Sequence, residues 1–173
     1  MAQGVLPFKY EAEKKTTGMT ALGGLPAYLD LAKVMGLSKS IRKHMKAKEG
    51  KQGWTDSQLV LSIVLLNLAG GDCVEDLKVL EGDEGFCEVL KKAEMHGLRR
   101  KVRRELIRRW RKERTRAVPS PSAAFRYLAM FHDQEQDQYR NPGKAFIPES
   151  NGYLRGLVEV NKDLAGFANL QNA

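Results

Sequence analysis

The sequence has few of the residue types that build disulfide frameworks or metal sites. It contains two cysteines, Cys73 and Cys87, and three histidines in 173 residues. The cysteines are not accompanied by a second pair, whereas zinc ligands come as closely spaced pairs. We therefore expect two reduced thiols, no disulfide, no metal site and no cofactor.

Long apolar runs are also missing. The longest one, residues 59–71, is interrupted by Ser62 and Asn67 and is too short to cross a bilayer. The N-terminus shows no basic stretch followed by an apolar core, so no signal peptide is expected. These absences predict a cytoplasmic, nucleoid-associated protein with no membrane partner.

Familiar catalytic motifs are absent as well. The glycine pairs Gly23-Gly24 and Gly70-Gly71 lack the Lys-Ser/Thr of a phosphate-binding loop and are interpreted as helix stops. A cluster of acids could bind a divalent ion, but its spacing is more typical of helix caps and a solvated face. The cluster consists of Asp72, Glu75, Asp76, Glu81, Asp83 and Glu84.

Positive charge, in contrast, is concentrated in one segment, Arg99 to Arg116. This segment holds eleven Arg or Lys residues against two acids, a local net charge of +9 in a chain that carries +8. A solvated face normally interleaves both signs, and self-repulsion of this size is relieved when an anion binds. Arg outnumbers Lys nine to two, and its planar guanidinium suits phosphate oxygens. The segment predicts nucleic-acid contact, with an acidic protein partner or a plain solvated surface as alternatives.

The hydrophobic pattern predicts an all-α fold. Apart from a short extended piece near Leu6–Tyr10, no run alternates with the period of a strand. Helices are expected from Leu25, near Ser40, after a capping box formed by Thr55 and Gln58, and after caps at Asp72 and Asp83. The helix that follows Thr55 is apolar almost all round, which places it at the centre of the fold. A last helix is capped by Ser150 or Asn151.

Two helices carry the predicted site. In the basic segment, an apolar stripe formed by Leu98, Val102, Leu106 and Trp110 is expected to pack inward and to leave the cations outside. After Pro119, a second helix is capped by Ser120 or Ser122 and buries Phe125, Leu128, Ala129 and Phe131, with Arg126 pointing away. The predicted DNA-binding residues are Arg99, Arg100, Lys101, Arg103, Arg104, Arg108, Arg109, Arg111, Lys112, Ser120, Ser122 and Arg126.

Five pieces of the sequence occur together in an order that suggests a family. They are LGGLP at Leu22–Pro26, WTDSQ at Trp54–Gln58, LAGGDCVEDL at Leu68–Leu77, PSPS at Pro119–Ser122 and FRYL at Phe125–Leu128. With these motifs the chain resembles the N-terminal region of bacterial insertion-sequence transposases of the DDE class. The resemblance covers roughly residues 5–165.

The resemblance implies a helical region that binds the terminal inverted repeats of a transposon and helps to pair its two ends. It also implies a ribonuclease-H-like domain with two Asp and one Glu that bind a divalent metal and carry out strand cleavage. No stretch from Ser150 onward has the pattern of the strand that bears the first of these acids, and Asp163 lies in a helical pattern. We therefore expect a truncated or partial transposase with no catalytic residues, which is not an enzyme by itself.

The expected organisation is a multi-helix DNA-binding domain with helix-turn-helix-like elements. Residues 1–19 are expected to be an extended or flexible segment, 20–132 the helical domain, 133–149 a linker, and 150–173 a C-terminal helix leading toward an absent catalytic domain. The expected partners are double-stranded DNA at transposon ends and a second copy of the chain, with which it would form a homodimer. Two alternatives stay open: a helical dimerisation module that binds an acidic protein, and an enzyme whose acidic cluster holds a metal.

Overall fold

A computed structural model describes residues 5–7, 20–46, 53–109, 116–147 and 149–171, with the side chains of residues 106, 109, 170 and 171 excepted. Within these ranges the chain is helical and contains no strand, so the all-α prediction is confirmed. Short 3-10 helices cover Val74–Asp76, Ala129–Phe131 and Gln134–Tyr139. The α-helices are α1 (Leu25–Val34), α2 (Leu37–His44), α3 (Asp56–Leu68), α4 (Leu77–Gly82), α5 (Glu84–Met95), α6 (Arg100–Arg109), α7 (Pro121–Leu128) and α8 (Gly152–Gln171).

Several helix ends are fixed by the caps that the sequence predicts. At the start of α3, the Gln58 amide donates to the Thr55 hydroxyl, and the Thr55 amide donates to the Gln58 side chain at 3.0 Å. At the start of α5, the Phe86 amide donates to the Asp83 carboxylate at 2.9 Å. At the start of α8, the Leu154 amide donates to the Asn151 side chain at 2.9 Å, so Asn151 is the cap there. Each cap satisfies an amide that has no partner within its helix.

Other boundaries differ from the sequence prediction. The helix expected near Ser40 begins earlier, at Leu37, after Gly36 has turned the chain with φ +71°. Asp72 does not cap a helix over residues 73–81. The Asp76 carboxylate instead accepts from the amides of Asp72 and Cys73, and α4 begins only at Leu77. The local reason is that Asp76 closes a single 3-10 turn before α4 can start.

The helix α3 ends in the hydrogen-bond pattern of a Schellman motif. The Gly71 amide donates to the Leu66 carbonyl at 3.0 Å, and the Gly70 amide donates to the Asn67 carbonyl at 3.1 Å. Gly70 has φ +81°, a backbone conformation that residues with a Cβ avoid. The predicted helix stop at Gly70-Gly71 is confirmed.

Two apolar clusters both include residues of α3. The first joins α1, α4, α5 and the start of α7 around Phe86 and Leu77, both fully buried. The second joins α2, α7 and α8 around Ile41 and Tyr127. The all-round apolar character of α3 follows from this position between the clusters, although Leu68 remains 43% exposed near its end.

The C-terminal helix α8 packs on α2. Asp163 on α8 accepts a hydrogen bond from the Ser40 hydroxyl at 2.7 Å, and its carboxylate lies 3.0 Å from His44 Nε2 and 3.6 Å from Lys43 Nζ. The hydrogen bond from Ser40, with the neighbouring cations, lowers the pKa of Asp163. Asp163 therefore lies in a helix, α8, and contributes to the contact between α8 and α2.

Candidate nucleic-acid interface

The cationic helix α6 lies on the surface. All of its described side chains are exposed, including those of Arg100, Arg103, Arg104 and Arg108. Glu105 is the one acid within its bounds, and no side chain on α6 forms an ion pair with a described carboxylate. The positive charge of this helix is therefore not neutralised by the described part of the protein.

The order of charges in α6 opposes helix formation. Arg100 and Lys101 occupy the first turn, which contains no acid, although the N-terminal end of a helix carries partial positive charge. Like charges also recur four residues apart, as at Arg100 and Arg104, and each such pair costs about 0.2–0.5 kcal/mol. A bound polyanion would remove both penalties, because phosphates favour exposed cations and helix N-termini alike.

The expected inward packing of the apolar stripe does not occur for the side chains that the structure describes. Val102 and Ile107 are 45% and 47% exposed, and Leu98 is half-buried. A spacing of four residues advances by about 40° around a helix of 3.6 residues per turn, so such a stripe drifts away from any flat face. The side chains of Leu106 and Trp110 lie outside the described part.

A groove of about 750 Å³ separates α6 from the helical body. Its floor is apolar and includes Leu29, Leu61 and Leu90, while Val102 of α6 also lines it. On α2 and just beyond it, the lining is cationic, with Lys39, Arg42 and Lys46. Three acids, Asp56, Glu94 and Glu105, line the groove as well. The groove therefore has an apolar floor, a basic edge along α2 and acids elsewhere in its lining.

The chain that enters α7 is held by Glu81. The Glu81 carboxylate accepts from the amides of Ala117 at 3.1 Å and Val118 at 2.8 Å, and it lies 3.9 Å from Arg116 Nε. Ala117 and Val118 are buried, so these amides depend on Glu81 in place of water. The sequence pattern predicts Glu81 to be a cap or a solvated acid and does not indicate this role, since the partners of Glu81 lie more than thirty residues away.

Of the two serines proposed as the cap of α7, Ser120 takes that role. Its hydroxyl accepts from the Ala123 amide at 3.3 Å, and Pro121 occupies the first turn. Ser122 is exposed on that turn. The Arg126 side chain folds back along the helix, where Nε donates to the Ser122 carbonyl at 3.2 Å. The structure therefore brings Ser122 and Arg126 together at the start of α7 and assigns Ser120 to capping.

The buried side of α7 differs from the predicted one. Ala124 and Tyr127 are buried, whereas Phe125 is 49% and Leu128 39% exposed. The buried pair lies between the two clusters, where the Tyr127 ring contacts Phe131 edge-on at 5.2 Å. Because Tyr127 supplies the large buried ring, the smaller Ala124 fits beside it and Phe125 turns outward. Burial and the nearby Asp56 carboxylate raise the pKa of Tyr127.

The exposed side of α7 therefore combines polar and apolar groups. Ser122, Phe125, Arg126 and Ala129 are exposed at spacings of three, four and seven residues, which places them on one face. Acids lie near this helix, because α7 packs on the 3-10 turn Val74–Asp76. This exposed face is much less basic than α6.

Two acids of the predicted acidic cluster have structural roles. Asp76 and Asp83 accept backbone amides, and Thr20 donates a further hydrogen bond to Asp83. The amides of Cys73 and Asp72 lower the pKa of Asp76. Within the described ranges no group of three His, Cys, Asp or Glu side chains could hold a metal ion.

The two cysteines are unbridged thiols in different surroundings. Cys73 is exposed, and Cys87 is buried in the first cluster. Burial raises the pKa of Cys87 to about 11. None of the described helices is long and apolar enough to cross a membrane.

Some predicted site residues cannot be placed. Arg111 and Lys112 lie outside the described residues, as does the side chain of Arg109.

Comparison of the chain with protein-family models, with curated proteins and with solved structures finds no match.

Proposed function

We propose that this chain binds double-stranded DNA as the N-terminal region of an insertion-sequence transposase. The observation that carries the proposal is the charge of α6. Its described cations are exposed and form no ion pair with a described carboxylate, and the cations in its first turn are unfavourable for the helix itself. The sequence motifs supply the class of protein, and the net charge of +8 favours a polyanionic partner. Strand cleavage is assigned to no residue of this chain.

In this proposal α6 binds the phosphate backbone and α7 reads sequence. A helix that presents only cations neutralises phosphates without distinguishing bases. The exposed face of α7 instead offers Arg126, which can donate to guanine, and Phe125, which can contact a thymine methyl group. Helix-turn-helix-like docking of α7 in a major groove is part of the proposal.

The test is a fluorescence-anisotropy titration across about 50–200 mM salt, because each phosphate contact contributes about −0.9 to the slope of log affinity against log salt. The variant carries Gln at Arg103, Arg104 and Arg108. If all three bind phosphates, its slope is shallower by about 2.7. A matched control carries Gln at three exposed lysines on other helices and changes net charge equally. These control positions are Lys78, Lys92 and Lys162.

The results separate backbone binding from sequence reading. Equal slopes for the α6 variant and the control would contradict a specific role for α6. For α7, duplexes enriched from a random pool by binding to the wild type serve as the probe. Arg126→Ala is expected to weaken binding to the enriched pool by about 1–3 kcal/mol and to leave binding to unselected DNA nearly unchanged. An equal loss on both pools would refute base reading by Arg126.

One observation favours a second candidate, a helical interaction module. Val102 and Ile107 stay half-exposed on α6, and the groove that Val102 lines has an apolar floor. An acidic amphipathic partner or a second copy of the chain could cover such a surface. Light scattering that shows a stable dimer, together with no retention of DNA, would support this module and oppose the DNA-binding proposal.

A further inference from the structure

A second row of cations lies on α2 and just beyond its end, outside the segment Arg99–Arg116 that is predicted to bind DNA. Lys39, Arg42 and Lys46 are exposed, and all three line the groove that α6 also lines. Lys39 and Arg42 are three residues apart on one side of α2, and Lys46 follows after Met45 has ended the helix. We call Lys39, Arg42 and Lys46 the α2 row.

The α2 row carries uncompensated charge. No acid occurs in α2, and no side chain of the row forms an ion pair with a described carboxylate. Lys43, also on α2, behaves differently, because it lies 3.6 Å from the Asp163 carboxylate on α8. Lys43 is therefore directed toward α8, whereas Lys39, Arg42 and Lys46 line the groove.

Stabilisation of the α2 C-terminus does not account for the whole row. Cations in the last turn of a helix are favoured by its dipole, which explains Arg42, and Lys46 lies just beyond the same helix end. Lys39, however, is the third residue of α2, where the helix dipole disfavours a cation. Its position is unfavourable for the helix but places it on the same groove edge as the other two.

We propose that the α2 row is a second set of phosphate contacts, so that duplex DNA lies across the groove and is held by α2 and α6 together. This inference rests on the proposed DNA-binding function. Duplex DNA fits because its two phosphate rows present repeated negative charge, which suits the exposed cations of the α2 row and the exposed cations of α6. On the groove itself α6 contributes Val102 and Glu105, so its cations would bind phosphates outside the groove. The apolar floor takes no part in these contacts, because phosphates remain hydrated at the rim.

The test compares two triple variants of equal charge in the full chain. One replaces Lys39, Arg42 and Lys46 with Gln, and the other replaces the control lysines at positions 78, 92 and 162. The probe is a fluorescent duplex of about 30 base pairs and arbitrary sequence, because backbone contacts do not depend on sequence. Circular dichroism and thermal unfolding establish that both variants keep the wild-type fold.

We expect the salt slope of the α2-row variant to be shallower than that of the wild type by about 2.7, and the control to keep the wild-type slope. Combining the α2-row and α6 changes should reduce the slope by about the sum of the two effects. Equal slopes for the α2-row variant and the control would overturn the inference while leaving DNA binding through α6 intact. A wild type that shows no salt-dependent binding would instead refute the proposed function itself.

Discussion

Replacing Gly156 with Ala is expected to destabilise the protein, because at this residue α8 leaves no room for a Cβ against the end of α2. A Cβ on Gly156 would lie 2.7 Å from the His44 carbonyl oxygen and 3.4 Å from Met45 Cγ. The first distance is shorter than carbon–oxygen contacts in proteins, and its partner is backbone at the end of α2. The two helices must therefore move apart by several tenths of an ångström.

The cost follows from what this movement loosens. Near Gly156, Val160 is 4% and Met45 3% exposed in the second cluster, and the Ser40 hydroxyl reaches Asp163 at 2.7 Å. Overpacking in a closely packed interior costs about 1–3 kcal/mol. Alanine is also a better helix former than glycine by about 0.5–1 kcal/mol, which offsets part of that cost.

Gly166 provides a matched control on the same helix. A Cβ at Gly166 meets nothing within 4 Å, and the residue is exposed. Gly166→Ala should therefore show the helix-forming gain alone and stabilise the protein by about 0.5–1 kcal/mol. The gain is common to both variants, so their difference isolates the steric term of about 1–3 kcal/mol.

The measurement is urea unfolding followed by circular dichroism, with the free energy of unfolding extrapolated to water and the m-value compared between variants. We expect Gly156→Ala to be less stable than Gly166→Ala, with a lower midpoint and a similar m-value. If Gly156→Ala were as stable as Gly166→Ala, the close packing of α8 on α2 would be refuted.

Two further predictions concern groups that the fold buries. Glu81→Ala should lower the free energy of unfolding by about 2 kcal/mol, because the buried amides at 117–118 lose their acceptor. Glu81→Gln keeps an oxygen there and should cost less. Equal losses of the two variants in urea unfolding would contradict this. Iodoacetamide near pH 8 should alkylate Cys73 well before Cys87, because burial excludes the reagent from Cys87 and raises its thiol pKa to about 11. Since this pKa is raised, Cys87 should stay protonated and slow even at about pH 9 in the folded protein, and equal rates by mass spectrometry would refute its burial.

The sequence was sufficient for features whose cause lies within a few residues. The capping box at Thr55 and Gln58, the cap at Asp83 and the stop at Gly70 were all predicted correctly, because each pairs a side chain or a turn with its own neighbours. The all-α class followed from the same local signals. The concentration of charge at Arg99–Arg116 was also visible without coordinates.

The sequence was less reliable where a helix chooses which side to bury. On α7 both Phe125 and Tyr127 are aromatic, and periodicity alone favoured the side with Phe125 and Leu128. The structure buries Tyr127, because its ring fills the second cluster against Phe131. The stripe that begins at Leu98 was misjudged for a related reason, since a four-residue spacing does not keep one face.

The sequence by itself thus determined the all-α class, several helix ends and where positive charge collects, because these features depend on neighbours along the chain. Only the tertiary structure decided which helices meet: α8 on α2 through Asp163, Glu81 beneath the entry to α7, and the α2 row on the same groove as α6. These contacts join residues tens to more than a hundred positions apart. They form when apolar faces are buried together, and no pattern of neighbouring residues predicts which polar groups will then lie beside those faces.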